Sequence, residues 1–565
     1  MHPSVHSTLH SAAIVGASAR LVEVQVDLAL GLPGFHLVGA PDHACIDARV
    51  RVLTAIRNCG YELPQKKITA NLAPGDLRKE GPSFDLAIAV GILGAAGLLP
   101  PIDRPALLVG ELALSGDLLP ARGVLPIALE ARRLGFDRLI VPEQNASEGS
   151  LVQGLRVFGA RTLTEAAEIY AGLSLREQAL PPPAGQAQGD GLDLSDVRGQ
   201  HLCKRGLEIA AAGGHNALLV GPPGAGKTML ARRVPSILPQ LSFEEALEAT
   251  SIWSIAGRLK PHQGLLTEPP FRAPHHTISV PGLIGGGNPL RPGEVSLATN
   301  GLCFMDELPE FSRGALEALR QPLEDGEVTL VRAQGSFTMP ARFMLIAAMN
   351  PCPCGHSSDA NPERCHCTIL AKENYRRRIS GPILDRFDLH IEAPALAART
   401  LGGAPEGERS ATVRERVQRA RALQQRRYAK LPGVHSNAQL RGAALRELCA
   451  PTEAARAWLG GLIDMKRLSA RAHDRILKVA RTIADLEGSE LVHEEQINEA
   501  AELRCLDKAV EGRTSGGVSA LQIARHAAAH KSPGTPPGEK PTPGTAPGTN
   551  LPPGMGPGTN VKEKK

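Results

Sequence analysis

Residues Gly221-Pro222-Pro223-Gly224-Ala225-Gly226-Lys227-Thr228 combine small residues, a lysine and a hydroxyl in the order that phosphate chemistry requires. The glycines let consecutive backbone N–H groups converge on an anion. Lys227 reaches the β- and γ-phosphates, and the Thr228 hydroxyl takes a place on Mg²⁺. An apolar run, Ala217 to Val220, leads in, and a helical pattern from Met229 follows, so a helix N-terminus adds partial positive charge where the phosphates sit. A glycine-rich turn that matched by chance would lack that strand-to-helix setting. The expectation is a chain that binds ATP or GTP with Mg²⁺.

Hydrolysis asks for more than a phosphate cradle. The apolar stretch Leu302-Cys303-Phe304-Met305 ends in Asp306 and Glu307. Asp306 is expected to hold Mg²⁺ through water, and Glu307 to polarise the attacking water. A third apolar run, 343–349, delivers Asn350 at its C-terminal end, the edge where an open parallel sheet binds ligands. An amide there can orient the lytic water. Arg386, within Leu384-Asp385-Arg386-Phe387-Asp388, suits a finger that enters a neighbouring subunit's site and neutralises transition-state charge. Arg376, Arg377 and Arg378 crowd it and can share that task. Arg471, opening a helical pattern after Leu468, is placed to sense nucleotide state, with Arg475 one turn on as the fallback.

Two features lie outside phosphate chemistry. Residues 327–332 and 337–339 read as strand, turn, strand, with Arg332 near the tip. A guanidinium there can contact DNA phosphate without reading sequence; the plain alternative is an ordinary exposed arginine. Cys352, Cys354, Cys365 and Cys367 form a C-x-C-x₁₀-C-x-C array, with His356 and His366 as spare ligands. Four thiolates suit a tetrahedral structural zinc ion, although paired spacings of two residues are commoner than one. A redox-labile thiol cluster is the alternative.

The elements that position these groups fall into several domains, as a chain of 565 residues allows. Residues 1–175 alternate strand-like runs (21–28, 68–72) with helical ones (46–58, 85–96), an α/β pattern. A breaker-rich stretch marks a linker at 176–191. Residues 192–393 carry the nucleotide motifs, with a helix expected over 203–212. Residues 394–512 turn helical over 413–428, 443–459, 470–486 and 494–503. Repeated Pro-Gly-Thr units dominate 513–565, and such composition cannot bury a core, so a disordered tail is expected. No apolar run is long enough to span a membrane, and Met1-His2-Pro3-Ser4-Val5 lacks a basic stretch leading into an apolar one, so a cytoplasmic location is expected. A net charge of +5 permits nucleic-acid binding without requiring it. Ten cysteines in so long a chain suggest reduced thiols, not a disulfide framework.

The segment Leu77-Arg78-Lys79-Glu80-Gly81-Pro82-Ser83-Phe84-Asp85 resembles the nucleophile turn of Lon-type proteases, a fold of the ribosomal S5 domain 2-like kind. A serine nucleophile needs an adjacent base, and no lysine occurs between Glu80 and Cys203. Arg132 and Arg133 lie in the right neighbourhood but do not deprotonate usefully near neutral pH. The resemblance implies the protease fold with its activity absent.

The ordered motifs resemble the AAA+ superfamily, and more closely its magnesium-chelatase-like branch. Phe271-Arg272-Ala273-Pro274-His275-His276-Thr277, Gly285-Gly286-Gly287-Asn288, Pro292-Gly293-Glu294-Val295-Ser296-Leu297-Ala298 and Asn350-Pro351-Cys352-Pro353-Cys354-Gly355 carry that likeness. It implies Lys227 and Thr228 as first-motif residues, Asp306 and Glu307 as second, Asn350 as sensor 1, Arg386 as arginine finger and Arg471 as sensor 2. A Lon-like domain before this P-loop α/β core and an all-α lid after it is similar to the ComM-type competence helicases, from Ser11 to Asp507. Cys303 and Met305, in place of commoner aliphatics, and the proline–glycine tail depart from that pattern. The family implies a homo-hexameric, ATP-driven motor on single-stranded or branched DNA. Such a motor promotes branch migration as incoming DNA is integrated in natural transformation, in the company of recombination proteins. Competing readings are a magnesium-chelatase-type motor acting on a protein partner or in metal insertion (a kind that generally lacks the first domain), an ATP-dependent protease, and a non-hydrolysing scaffold.

Overall fold

Within strand Ser18–Ala29, alternation from Leu21 on buries Val22, Val24, Val26 and Leu28 and leaves Gln25 in solvent, the period of a strand with one covered face. This strand belongs to a seven-stranded sheet in the order Gly34–Val38, Lys67–Ala73, Ser18–Ala29, His6–Val15, Leu107–Leu108, Arg138–Pro142, Arg156–Ala160. Pairing is antiparallel in the middle and parallel towards both edges. The computed structural model describes residues 6–100, 105–174, 191–261, 263–332, 335–358, 362–395, 407–431 and 433–507. The tail expected at 513–565 and all but the last residue of the 176–191 linker lie outside them.

Helix Asp85–Ala95 is apolar on every side and buried on every side, the interior position such a helix requires. Each of Leu86, Ile88, Ile92 and Leu93 is fully buried, stabilising the domain by about 1.5–3 kcal/mol apiece. Gly91 lets this helix approach the sheet, since a Cβ there would lie 2.8 Å from Val26 Cγ2. Ser83, at the turn before the helix, accepts the Gly110 N–H on its carbonyl at 2.9 Å. Lys79, the nearest lysine in sequence, is buried with its ammonium on the Pro74 carbonyl.

The second sheet has five strands in the order Phe271–Arg272, Leu302–Met305, Met344–Met349, Ala217–Val220, Leu389–Glu392, all parallel. The central strands are buried throughout, as expected of a parallel sheet covered on both faces. In the helical region, Ser410–Tyr428, Ala470–Glu487 and Glu494–Glu502 lie close to the expected spans. The single helix expected over 443–459 is instead two, Gly442–Leu448 and Glu453–Lys466. Pro451 disfavours helical backbone at the residue before it, and the Thr452 hydroxyl caps the new helix by accepting the Ala455 N–H at 3.2 Å.

Val413, Val417, Ile476, Val479 and Ile483 from these helices share one apolar cluster with Leu207, Ala210 and Leu219 of the nucleotide core. Buried His215 ties the two together, 2.9 Å from Asp388 Oδ2 and 2.7 Å from Thr482 Oγ1. The first domain is joined to the core through Glu148, whose carboxylate takes the Ser254 hydroxyl and, at 2.7 Å, the Leu125 N–H. No helix among the described residues is long and apolar enough to cross a membrane.

Candidate active site

Strand Ala217–Val220 ends at Gly221, where no side chain fits: a Cβ would lie 2.1 Å from the Ala393 carbonyl oxygen. Gly224 and Gly226 take φ of 76° and 84°, backbone that L side chains rarely adopt. They turn the chain into helix Lys227–Arg233, and a Cβ at either glycine would meet nothing within 4 Å. The result is an open backbone concavity at a helix N-terminus, which fits a polyphosphate. The buried Lys227 ammonium donates to the carbonyls of Gly221 (2.7 Å) and Pro222 (2.9 Å) and to Asn350 Oδ1 (3.1 Å). Burial lowers its pKa, with Asp306 and Glu307 pulling the other way; a phosphate oxyanion at the loop would offset that cost.

The parallel register brings the C-terminal ends of three strands to one edge, and with them Gly221, Asp306 and Asn350. Thr228 Oγ1 and Asp306 Oδ2 are 2.5 Å apart, the two oxygens that would hold Mg²⁺. ATP bound here would supply the phosphoanhydride, and Lys227 would hold its β- and γ-phosphates. Glu307 follows in left-handed backbone (φ 52°). Its mostly exposed carboxylate lies 3.5 Å from His276 Nδ1, and the His276 ring in turn stacks on His275 at 4.1 Å.

Sequence reasoning quoted His276 within a motif and gave it no role. If Glu307 polarises the attacking water as expected, a ring that holds its carboxylate would act on turnover, not on ATP affinity. His276→Ala is therefore expected to lower kcat by about tenfold or more with KM for ATP unchanged; a parental kcat in steady-state phosphate release would remove His276 from the site.

Two further polar residues organise the site without a sequence signal. Gln200, buried in left-handed backbone, donates from Nε2 to the carbonyls of Ala225 and Pro394, both at 2.8 Å. It clamps the phosphate loop to the last strand. Asn216, just before the phosphate strand, accepts the Leu345 N–H on Oδ1 (2.8 Å) and donates from Nδ2 to the Arg386 carbonyl (3.0 Å).

The structure places Arg386 away from the phosphate loop of its own chain. Leu389 pairs with Ala217 and Glu392 with Val220, so Arg386 lies beyond the N-terminal end of its strand while the loop leaves the C-terminal end. Four strand residues at roughly 3.3 Å each, about 13 Å, separate the two edges. The Arg386 guanidinium pairs with Glu324. Arg471 joins the same segment, donating from Nη1 to Asp385 Oδ2 at 2.7 Å, with its side chain largely in solvent. Arg475, the fallback, is instead largely covered, with Nε 3.5 Å from Asp388 Oδ1. Of the neighbouring arginines, Arg378 pairs with Glu310 at 2.7 Å and Arg377 with Glu373 at 3.6 Å.

The expected hairpin forms, Glu327–Arg332 against Gly335–Pro340. Val331 stands exposed near its tip. Arg332 does not stand free: one guanidinium nitrogen donates to the Gly287 carbonyl in the glycine loop alongside, leaving its other donors for a second partner. The four cysteines of the array converge. Sγ of Cys352 lies 3.4 Å from Cys354 and 3.9 Å from Cys365, Cys354 lies 3.8 Å from Cys365, and all four sulfurs lie within 4.8 Å of one another. Such a group could hold a metal ion; among the described residues it consists of the four thiols alone.

A five-stranded parallel sheet that gathers a phosphate loop, an acidic pair and a polar sensor at one edge defines an AAA+-type nucleotide-binding protein. Family models agree. "Magnesium chelatase, subunit ChlI" matches residues 193–401, "Subunit ChlI of Mg-chelatase" residues 24–145, and "Magnesium chelatase, subunit ChlI C-terminal" residues 407–504. Competence protein ComM of Haemophilus influenzae is 43% identical over 505 residues, 88% of this chain and 97% of that protein. The uncharacterized protein YifB of Escherichia coli K12 is 44% identical over 508 residues, 89% and 97% of the two chains. A shorter match, 29% over 165 residues, runs to DNA repair protein RadA of Halalkalibacterium halodurans and covers 28% of this chain and 35% of that one. The chain belongs to the magnesium-chelatase-like family that includes ComM and YifB. The family model over 24–145 also carries a chelatase description.

Proposed function

We propose that the chain is one subunit of a homo-hexameric ATPase in the cytoplasm that drives unwinding and branch migration on single-stranded or branched DNA. Its task is the integration of incoming DNA during natural transformation, alongside recombination proteins. The observation that carries this reading is the separation of the site into two halves. Lys227, Thr228, Asp306, Glu307 and Asn350 gather at one sheet edge, while Arg386, paired with Glu324, and Arg471, paired with Asp385, lie at the other. A cationic half that cannot reach its own loop is completed by the next copy around a ring, a head-to-tail contact that closes.

DNA enters the proposal through the names of relatives, a competence protein and a DNA repair protein, and through the hairpin, where Arg332 beside exposed Val331 offers a phosphate contact. The test is ATP hydrolysis and strand separation on forked and three-stranded DNA. In an Arg332→Ala protein, the ratio of DNA-stimulated to DNA-free hydrolysis is expected to fall several-fold, in line with a contact to a charged group worth about 1.5–3 kcal/mol. An unchanged ratio would remove the hairpin from the DNA path.

The chelatase-type reading, action on a protein partner or metal insertion, is favoured by the family-model descriptions, and an absence of any DNA response would promote it. Against the protease reading stand the absence of lysine between Glu80 and Cys203 and the Lys79 ammonium engaged by the Pro74 carbonyl. For the four thiols the proposed ion is zinc, held for structure, since a tetrahedron of Zn–S bonds near 2.3 Å has sulfur–sulfur edges of about 3.8 Å, the spacing found here.

A further inference from the structure

The cysteine array is built onto the nucleotide site at two separate points. Cys352 follows Asn350 by two residues, is fully buried, and so fixes where the sensor strand ends. Asn350 Oδ1 accepts the Lys227 ammonium at 3.1 Å. The second point is Gly355, which closes the Cys352–Gly355 turn by donating to the Cys352 carbonyl at 3.0 Å. It takes φ 85° and lies so close to the phosphate loop that a Cβ would sit 2.5 Å from Pro223 Cδ. On the far side of the array, Cys367 precedes Thr368, whose hydroxyl caps helix Ile369–Arg377. That helix returns Tyr375 to the main chain of Asn350 through a hydrogen bond.

We propose that zinc bound by Cys352, Cys354, Cys365 and Cys367 sets the shape of the phosphate loop, so that nucleotide affinity depends on zinc occupancy. The proposal rests on the zinc reading above and extends it. Without an ion, the four thiols, all within 4.8 Å of one another, are held to each other by weak S–H contacts of 3.4–3.9 Å among Cys352, Cys354 and Cys365. The turn against Pro223 and the end of the sensor strand then lose the tie that keeps Asn350 on Lys227. With the ion, four Zn–S bonds tie Cys352 and Cys354 to Cys365 and Cys367. The ATP site thus has two metal dependences of different kinds: Mg²⁺ at Thr228 and Asp306 for chemistry, and zinc behind the loop for shape.

The experiment uses the full chain purified under reducing conditions. Zinc is assayed first, and a stoichiometric content is expected. Zinc is then stripped with a thiol-directed mercurial, the mercurial is reversed with dithiothreitol in metal-free buffer containing magnesium, and binding of a fluorescent N-methylanthraniloyl ATP is titrated. Affinity is expected to fall about tenfold or more, the usual loss when groups behind a binding shell are disturbed, and to return when zinc chloride is added. A chain that holds no zinc would overturn the zinc reading and the proposal with it. Zinc present but stripped with no change in affinity would overturn the coupling alone. Should the stripped chain unfold, Gly355→Ala decides. It is expected to keep its zinc, to melt somewhat below the parent because of its strained backbone, and to bind the analogue several-fold more weakly; parental affinity in that variant would overturn the coupling.

Discussion

A Glu307→Gln protein is expected to bind ATP as the parent does and to hydrolyse it about 10²–10⁴-fold more slowly, the usual contribution of a positioned general base. The substitution keeps the shape of the side chain and its left-handed backbone (φ 52°) but removes the charge that draws a proton from water. Thr228 and Asp306, 2.5 Å apart, and Lys227 on the loop carbonyls are untouched, so affinity stays. Because the Glu307 side chain is more than half exposed and meets only the His276 ring at 3.5 Å, folding is not at stake. Nucleotide binding by fluorescence and single-turnover phosphate release separate the two quantities. Hydrolysis within a few-fold of the parent would mean that another group polarises the water.

The second large effect is expected at the opposite edge of the sheet. Arg386→Ala should retain ATP binding and lose about 10³-fold or more in kcat, the range for a finger that stabilises transition-state charge. Its guanidinium pairs with Glu324, itself half in solvent, so the unpaired carboxylate left behind costs little stability. Arg386→Lys should restore only part of the rate, since an ammonium cannot reproduce the planar fork. A structural role would show instead as a lower Tm with kcat per folded chain unchanged.

The contrast between what the sequence revealed and what it concealed has a physical basis. The phosphate loop was legible because its chemistry is local: eight consecutive residues hold the glycines, the lysine and the hydroxyl, and the flanking apolar run and helix are adjacent. Strand Ser18–Ala29 was legible through its period of two from Leu21 on, and helix Asp85–Ala95 through its apolar run. Residues whose role depends on distant partners carried no such mark. Asn216 links to Leu345 and to the Arg386 carbonyl, 129 and 170 residues away, and Gln200 reaches Pro394 across 194. No spacing rule encodes those contacts, which exist only after the parallel sheet has formed.

One misreading follows the same logic. Helical composition over 443–459 outweighed Pro451 in the sequence pattern, yet proline geometry and the Thr452 cap divide the segment. The Arg332 acceptor, the Gly287 carbonyl, lies 45 residues upstream in another loop, and no spacing announced it. The cysteine array shows the converse. Its spacing was unusual, but four of ten cysteines in so short a stretch still pointed to convergence, and the sulfurs do converge within 4.8 Å.

Subunit mixing addresses the split pocket most directly. Lys227→Ala removes the loop half of the pocket and Arg386→Ala the finger half; each protein alone should be inactive. When equal amounts are mixed under conditions that allow exchange, roughly a quarter of randomly formed head-to-tail interfaces pair an intact Lys227 with an intact Arg386. ATP hydrolysis is then expected to reappear at up to about that fraction of the parental rate. A mixture that exchanges subunits yet stays as inactive as its components would contradict a pocket assembled from two copies.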